Sequence, residues 1–157
     1  STQIQTFVPV ESHPETRTSP ATGTESVSAL SHWPVQIRLI PPKAPFLKGA
    51  DLLVLADCVS IAYANLHQDL IKGKVVMMGC PKFDDAQSYI DKFTDIFKTA
   101  GTKSITTVYM EVPCCSGLPM IVKKALEASG QTIPMTDILI STRGKVLDQT
   151  KIMKVQV

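Results

Sequence analysis

The stretch that decides the fold is Asp51-Leu-Leu-Val-Leu-Ala-Asp-Cys58. The residues between its two aspartates are all apolar, which is the pattern of a strand covered on both faces of a parallel sheet. Lys74-Val-Val-Met-Met-Gly-Cys80 repeats this pattern. Ser104-Ile-Thr-Thr-Val-Tyr-Met-Glu-Val112 is rich in β-branched residues and leads into Pro113-Cys-Cys115. The sequence therefore predicts three sheet strands, each of which ends next to cysteine.

Helical patterns separate these strands. Apolar residues recur at steps of three and four over Ala86–Ala100, behind Asp84 and Asp85, either of which can cap the helix. Gly117 and Pro119 mark the start of a second helix. Strands that alternate with helices predict an α/β fold, a three-layer sandwich with a mostly parallel sheet in a flavodoxin-like or Rossmann-like order. Right-handed crossovers put helices on both faces of that sheet.

Shorter signals flank this pattern. The alternation of side chains over Val35–Ile40 predicts a first strand, and Ile138–Ile140 predict a fifth. Thr142–Lys145 predict a turn into a terminal β-hairpin. Residues 1–30 are dominated by Ser, Thr, Pro and Glu without a sustained period, which indicates a flexible leader or linker before an α/β domain at residues 31–157.

The composition excludes several classes of protein. The sequence has 157 residues, of which 44% are hydrophobic and 19% charged, as in an ordinary globular domain. A net charge of +2 is too weak for a nucleic-acid binder, and the apolar runs are too short to span a membrane. Walker and Gly-x-Gly-x-x-Gly motifs are absent, which disfavours P-loop enzymes and dinucleotide dehydrogenases. Four cysteines and no signal-peptide pattern at the start predict a reducing, cytoplasmic location.

All four cysteines, Cys58, Cys80, Cys114 and Cys115, follow predicted strands. The carboxyl ends of parallel strands lie on one edge of a sheet, where open α/β sheets bind their ligands. The thiols therefore converge on one site if these strands are neighbours. Cys114 and Cys115 also precede a predicted helix, whose N-terminal dipole favours an anionic sulfur. An inert role as buried apolar residues stays open, because free cysteine is often buried.

An all-sulfur site suits zinc or an iron–sulfur cluster. Zinc modules usually present close cysteine pairs separated by about two to four residues, and this sequence has none. The closely spaced cysteines of bacterial ferredoxins are also absent. Spacing alone therefore indicates a thiolate site that binds a metal, without deciding which metal.

Several motifs resemble those of one family. They are Ala56-Asp-Cys58, Gly79-Cys-Pro-Lys82 and the more specific Glu111-Val-Pro-Cys-Cys-Ser-Gly117, in a match over about Leu30–Val146. They are similar to the C-terminal domain of ferredoxin-like 4Fe-4S proteins of anaerobic bacteria and archaea. The resemblance implies an electron-transfer domain in which one iron–sulfur cluster is held by Cys58, Cys80, Cys114 and Cys115. A two-cluster ferredoxin module precedes the domain in that family, is missing from this sequence, and would be joined through a linker like residues 1–30.

The cluster type and the function each have alternatives. We expect a 4Fe-4S cluster first. Adjacent side chains on a strand point to opposite faces, however, so Cys114 and Cys115 could both bind one cluster only if Pro113 has turned the chain out of strand geometry. A 2Fe-2S cluster is therefore kept as an alternative. Three ligands instead of four would leave an iron for a cluster-dependent reductase. The second hypothesis is thiol–disulfide chemistry, in which Cys114 or Cys115 attacks a disulfide and Cys80 or Cys58 resolves the mixed disulfide. The third hypothesis is an interaction domain without catalytic activity. The expected partner is a redox protein or the missing ferredoxin module, and a homodimer is left open.

Overall fold

The structure is a computed structural model that describes residues 2–10 and 26–152. Within these residues it contains seven strands and three α-helices, joined by two 3-10 turns and one π-helical turn. The strands are β1 (Gln5–Thr6), β2 (His32–Trp33), β3 (Asp51–Ala56), β4 (Val75–Gly79), β5 (Ser104–Met110), β6 (Met135–Ile140) and β7 (Val146–Ile152). The helices are α1 (Val59–Ala62), α2 (Ala86–Thr99) and α3 (Leu118–Ser129).

The main sheet has five strands in the order β4-β3-β5-β6-β7. Its first four members in that order are parallel, and β7 runs antiparallel to β6. The chain passes from β3 outward to β4 and then returns across β3 to β5. Right-handed crossovers therefore leave α1 on one face of the sheet and the mutually packed α2 and α3 on the other. The predicted three-layer α/β architecture and its terminal hairpin are confirmed.

The strand β3 lies at the centre of the core. The side chains from Leu52 to Ala56 are each at most 1% exposed, as the unbroken apolar run predicts. Tyr89, Phe93 and Phe97 of α2 are buried on one face of the sheet, together with an apolar stripe of α3. Burial on both faces holds β3 in place between its two neighbours.

The two long helices begin as the sequence predicts. Asp85 caps α2, since its side chain accepts a hydrogen bond from the Gln87 N–H at 3.1 Å. Gly117 precedes α3, which has Pro119 in its first turn. Among the described residues, no helix has both the length and the apolar character needed to cross a membrane.

The predicted first strand over Val35–Ile40 is wrong. The chain forms a 3-10 turn at Ile37–Leu39 and pairs with β4 through a single bridge. Ile37 and Ile40 are buried whereas Leu39 is half-exposed, so the buried positions are three residues apart instead of two. That spacing is the period of a 3-10 turn, which side-chain alternation over a short segment does not distinguish from a strand.

The segment predicted as a flexible leader covers residues 1–30, and residues 1 and 11–25 lie outside the described part of the chain. Before that gap, β1 pairs antiparallel with β2 in a separate two-stranded sheet. The Phe7 N–H extends this pairing with a hydrogen bond to the Ser31 carbonyl at 2.8 Å. A short part of the predicted leader is thus joined to the chain that enters the domain.

The turn between β6 and β7 packs against the end of α1. Gly144 in this turn has φ of 81°, which favours glycine, and a Cβ there would overlap the Ala62 carbonyl oxygen. The terminal hairpin therefore lies directly against the short helix that follows Cys58.

His32 links β2 to the main sheet. Its ring is fully buried, and its centroid lies 4.5 Å from that of the Phe46 ring, with the two ring planes tilted by 33°. Nε2 accepts a hydrogen bond from the Val76 N–H at 2.8 Å, and Nδ1 lies 3.1 Å from the Pro34 carbonyl, which can only accept. Nδ1 therefore carries the proton of a neutral ring. Burial lowers the pKa of His32, against a smaller raising effect of the Pro34 carbonyl.

This arrangement predicts a loss of stability in mild acid. The pKa of folded His32 lies below its ordinary value of 6.5, so the unfolded chain binds more protons below that pH and stability falls with the pH. We expect urea titrations to give a lower free energy of unfolding at about pH 5.5 than at about pH 7.5. A His32→Gln variant should be less stable than the wild type at both pH values. The difference in its free energy of unfolding between the two pH values should be smaller, because glutamine does not bind a proton. An unchanged pH dependence in that variant would contradict the neutral buried ring.

Gly79 ends β4 at a close approach between two elements. A Cβ at this position would overlap the Tyr89 hydroxyl and would lie 3.1 Å from Ile37 Cδ1. Tyr89 is buried and cannot swing away. At Gly117, in contrast, φ is −77° and an added Cβ would meet no atom within 4 Å. Only the first of these glycines is required by packing.

We therefore expect Gly79→Ala to lower the free energy of unfolding by about 1–3 kcal/mol, because the added methyl overpacks a filled site. The matched control Gly117→Ala should change it by less than about 0.5 kcal/mol. Chemical denaturation followed by circular dichroism measures both. Equal stability of the two variants would show that Tyr89 does not occupy the space beside Gly79.

Candidate functional site

The strands followed by cysteines are neighbours in the sheet, in the order β4, β3, β5. Ala56 at the end of β3 pairs with Gly79 at the end of β4, so that the chain leaves both strands side by side. Cys80 directly follows Gly79, and Cys58 follows Ala56 after one intervening residue, Asp57. On the other side of β3, the chain leaving β5 continues to the Cys114–Cys115 pair. The strand order thus satisfies the condition under which the sequence predicts a shared site.

The site coincides with the point where the strand order reverses. One connection leads from β3 outward to β4, and the next returns to β5 on the opposite side. Open α/β sheets bind ligands in the crevice outside this point, beyond the carboxyl ends of the strands. Cys58 follows one of the two strands that flank the crevice, and Cys114 and Cys115 follow the other. Cys80 lies one strand further out, at the end of β4.

Cys114 and Cys115 lie in a turn, outside the extended strand. The strand β5 ends at Met110, and the chain then tightens, as the Cys115 N–H donates to the Val112 carbonyl at 3.1 Å. The two sulfur atoms are 4.0 Å apart. Pro113 therefore lies in chain that has left strand geometry, and the objection that adjacent side chains must point to opposite faces does not apply here.

The two sulfurs of this pair have different surroundings. Cys114 is exposed, whereas Cys115 is 2% exposed. Burial, the largest cause, raises the pKa of the Cys115 thiol to about 11; a hydrogen bond with the Met110 backbone opposes this, and the neighbouring Cys114 and Cys58 add to it. For Cys115, burial thus outweighs the stabilisation of a thiolate that its position before a helix predicts. The effect of Cys58 also places that thiol within electrostatic reach of Cys115.

The loop that carries Cys80 is held by Tyr89 and Asp84. The Cys80 N–H donates to the Tyr89 hydroxyl at 3.1 Å, and that hydroxyl donates to Asp84. The Asp84 N–H donates in turn to the Cys80 carbonyl at 2.9 Å, and its carboxylate lies 3.4 Å from Arg38. Burial and the bond to Asp84 raise the pKa of Tyr89, so the hydroxyl keeps its proton. Asp84 therefore fixes the Cys80 loop, and Asp85 alone caps α2.

Asp57 lies between β3 and Cys58. Its backbone N–H donates to the Gly79 carbonyl at 3.0 Å, which ties the exits of β3 and β4 together. Burial raises the pKa of its carboxyl, the hydrogen bond from Gln36 lowers it, and the charge of Asp84 raises it again. Asp57 therefore links the chain that leaves β3 to the end of β4, directly before Cys58.

A groove of about 760 Å³ opens beside the cysteine loops, over the first turns of α2 and α3. Pro81 and Lys82 line it from the Cys80 loop, and Pro113 and Cys114 line it from the loop after β5. Its remaining walls are mainly apolar side chains of the two helices, together with Lys124. Cys114 is therefore a cysteine that this groove opens to solvent. Nothing in the sequence pattern singled out this groove, because it depends on how α2 and α3 pack.

The donor set decides which groups fit this edge of the sheet. Among the described residues, no three or more His, Cys, Asp or Glu side chains are placed to hold a single metal ion. The four thiols instead come from the ends of three adjacent strands and are all free. Four cysteine sulfurs are the donor set of iron–sulfur clusters, in which inorganic sulfide bridges several irons. By residue type alone, the four cysteines match the ligands of such a cluster.

The burial pattern predicts two classes of thiol. In the reduced, metal-free protein, iodoacetamide should first label Cys58 and Cys114, which are exposed. Cys80 and Cys115 are buried and should react fully only in urea. Peptide mapping by mass spectrometry after timed labelling measures the order, and the urea-treated sample is the control for complete labelling. Labelling of Cys115 as fast as Cys114 in the folded protein would contradict the described burial.

Comparison with known proteins agrees with the fold. Residues 44–157 match a family model described as a Rossmann-like domain. An uncharacterized protein of the archaeon Archaeoglobus fulgidus is 32% identical over 122 residues, which are 78% of this chain and 86% of that relative. No solved structure matches the chain. Since the family model covers well over half of the sequence, the chain belongs to the Rossmann-like domain family.

Proposed function

We propose that this chain binds one iron–sulfur cluster through Cys58, Cys80, Cys114 and Cys115 and transfers single electrons. The observation that carries the proposal is the position of these cysteines at the ends of three adjacent parallel strands. A role as inert core residues accounts poorly for the set, because Cys58 and Cys114 are exposed and contribute little to a core. A reducing, cytoplasmic compartment suits four free thiols.

The four proposed ligands differ in their exposure to solvent. Cys80 and Cys115 would be its buried ligands, and Cys58 and Cys114 its exposed ligands. Tyr89 fixes the backbone of the Cys80 loop through its hydrogen bond to the N–H. When bound, the cluster supplies a one-electron redox centre whose potential depends on solvent exposure and nearby hydrogen bonds.

Four protein ligands favour an electron carrier over a catalyst. A 4Fe-4S cluster with four cysteine ligands has its coordination filled and leaves no iron for a substrate. The turn at Cys114 and Cys115, with sulfurs 4.0 Å apart, supports a role for both in one cluster. We therefore propose a 4Fe-4S electron carrier whose partner is a redox protein or a ferredoxin module. The iron content distinguishes a 2Fe-2S cluster. A reductase with three cysteine ligands is distinguished by the single cysteine variants, because one of the four would then keep its iron.

The same short distance between sulfurs favours thiol–disulfide exchange as a second candidate. The Cys114 thiolate would attack a substrate disulfide, form a mixed disulfide and release one substrate thiol. The Cys115 thiol would then pass its proton to the departing substrate thiolate and attack the Cys114 sulfur, which releases the second thiol and leaves a disulfide between the pair. Two molecules of a thiol reductant would then reduce this disulfide to two thiols and would themselves be joined as a disulfide. This candidate requires no iron.

Anaerobic reconstitution with iron and sulfide tests the first proposal. We expect about four irons and four labile sulfides per chain for a 4Fe-4S cluster, or about two of each for a 2Fe-2S cluster. Visible absorption and electron paramagnetic resonance after reduction with dithionite should report the cluster. Single Cys58→Ser, Cys80→Ser, Cys114→Ser and Cys115→Ser variants should lose most of the bound iron or change the spectrum.

A matched control removes a sulfur that is not a thiol. Met120→Ser changes a groove residue close to Cys114 and should leave the iron content unchanged. Circular dichroism shows whether each variant is folded. A folded wild-type protein that stays colourless and free of iron after reconstitution would overturn the cluster proposal. Reduction of a small disulfide by that iron-free protein, lost in Cys114→Ser, would then support the second candidate.

A further inference from the structure

Large apolar side chains are exposed close to the cysteines. Phe83, in the loop after Cys80, is 89% exposed, and Met120, in the first turn of α3 after Cys115, is 56% exposed. Neither contributes to the core. Exposed apolar groups gathered at one place mark an interaction surface, and aromatic and methionine side chains are enriched at such surfaces. Lys82, Met120 and Lys124 line the groove, and Phe83 directly follows Lys82 in the chain; we call these four residues and the groove the docking face.

The docking face has unpaired positive charge. Lys82 and Lys124 line the groove, and no Asp or Glu lines it. Both lysines are exposed, and within the part of the chain that the structure describes neither is paired with a carboxylate. The groove thus presents two cations beside a mainly apolar wall, in a chain whose total charge is only +2.

Of the four carboxylates nearest in sequence to the docking face, three are engaged within the chain; the fourth, Glu127, lies about one turn after Lys124 in α3 and forms no ion pair with it among the described residues. Asp84 binds Tyr89 and Arg38. Asp85 caps α2. Glu111 accepts hydrogen bonds from the backbone and the hydroxyl of Thr142. These three acidic groups have their hydrogen-bond partners elsewhere, and the two lysines are left for a partner.

We infer that the docking face receives an acidic redox protein, which sets carboxylates against Lys82 and Lys124 and an apolar side chain into the groove beside Cys114. The redox character of the partner rests on the proposed function, because Cys114 is both a proposed cluster ligand and part of the groove wall. The acidic character rests on the charges alone. A partner seated here would approach the cluster across a single cysteine side chain.

The test measures binding and electron transfer separately. Isothermal titration of the full chain at low ionic strength uses an acidic bacterial ferredoxin as probe and basic cytochrome c as comparison. We expect the ferredoxin to bind more tightly than cytochrome c, with an affinity that falls as salt is added. The double variant Lys82→Glu/Lys124→Glu should weaken ferredoxin binding at least about tenfold and strengthen cytochrome c binding.

The control variant changes the same charge at the opposite end of the sheet. Lys48 and Lys72 are exposed and precede β3 and β4, so Lys48→Glu/Lys72→Glu alters net charge equally but leaves the docking face intact. Its ferredoxin affinity should stay within about threefold of the wild-type value. Met120→Ser should also weaken binding, without changing its dependence on salt.

Each outcome decides the inference. Equal affinity of the two charge variants, or no binding of the ferredoxin to the wild-type chain, overturns it. A wild-type dimer in sedimentation that the Lys82→Glu/Lys124→Glu variant breaks also overturns it, because a second copy would then occupy the groove. If the reconstituted chain holds iron, stopped-flow electron transfer to the ferredoxin should slow in the same variant. Charge-dependent binding by a chain that takes up no iron would overturn the proposed function and support the acidic partner alone.

Discussion

The structure depends on one strand that has no free surface. From Leu52 to Ala56 the side chains of β3 are buried on both faces, and its hydrogen-bonding edges are occupied by β4 and β5. Such a strand cannot shift its register without exposing apolar groups and breaking two ladders at once. The position where the chain leaves it, at Asp57 and Cys58, is therefore fixed with respect to the ends of both neighbours. This constraint brings cysteines from distant parts of the sequence to one edge.

Membership of the Rossmann-like family makes the chemistry at this edge unusual. In dinucleotide-binding members of this architecture, the turn after the first strand carries a glycine-rich loop that binds phosphate at the N-terminus of a long helix. Here that turn is Asp57-Cys58, followed by the short helix α1. The crevice is in the same place, but thiols replace the glycines that admit a phosphate. The activity therefore depends on the side chains at this site, since the fold alone hosts many activities.

The regular elements could be predicted from the sequence because their signals are local. The continuous apolar run of β3 and the helical spacing of α2 each follow from residues within one segment. The order of the strands could not be predicted, since it depends on which strand pairs with which across long distances in sequence. The error at Val35–Ile40 has a similar origin, because burial of Ile37 and Ile40 is set by packing beside β4 and α2.

The candidate site, too, could be predicted only in part from the sequence. Its four cysteines could be named because each follows a strand, but the sequence does not distinguish the buried Cys115 from the exposed Cys114. That difference arises where the turn after β5 meets the core. The role of Asp84 as a partner of Tyr89 could not be predicted either, because it needs the close approach at Gly79.

The terminal hairpin supports the site through a contact that no local sequence pattern reveals. Gly144 holds the β6–β7 turn against Ala62, behind the helix that Cys58 begins. An insertion in that one turn would therefore remove the support behind a cysteine more than eighty residues earlier in the sequence.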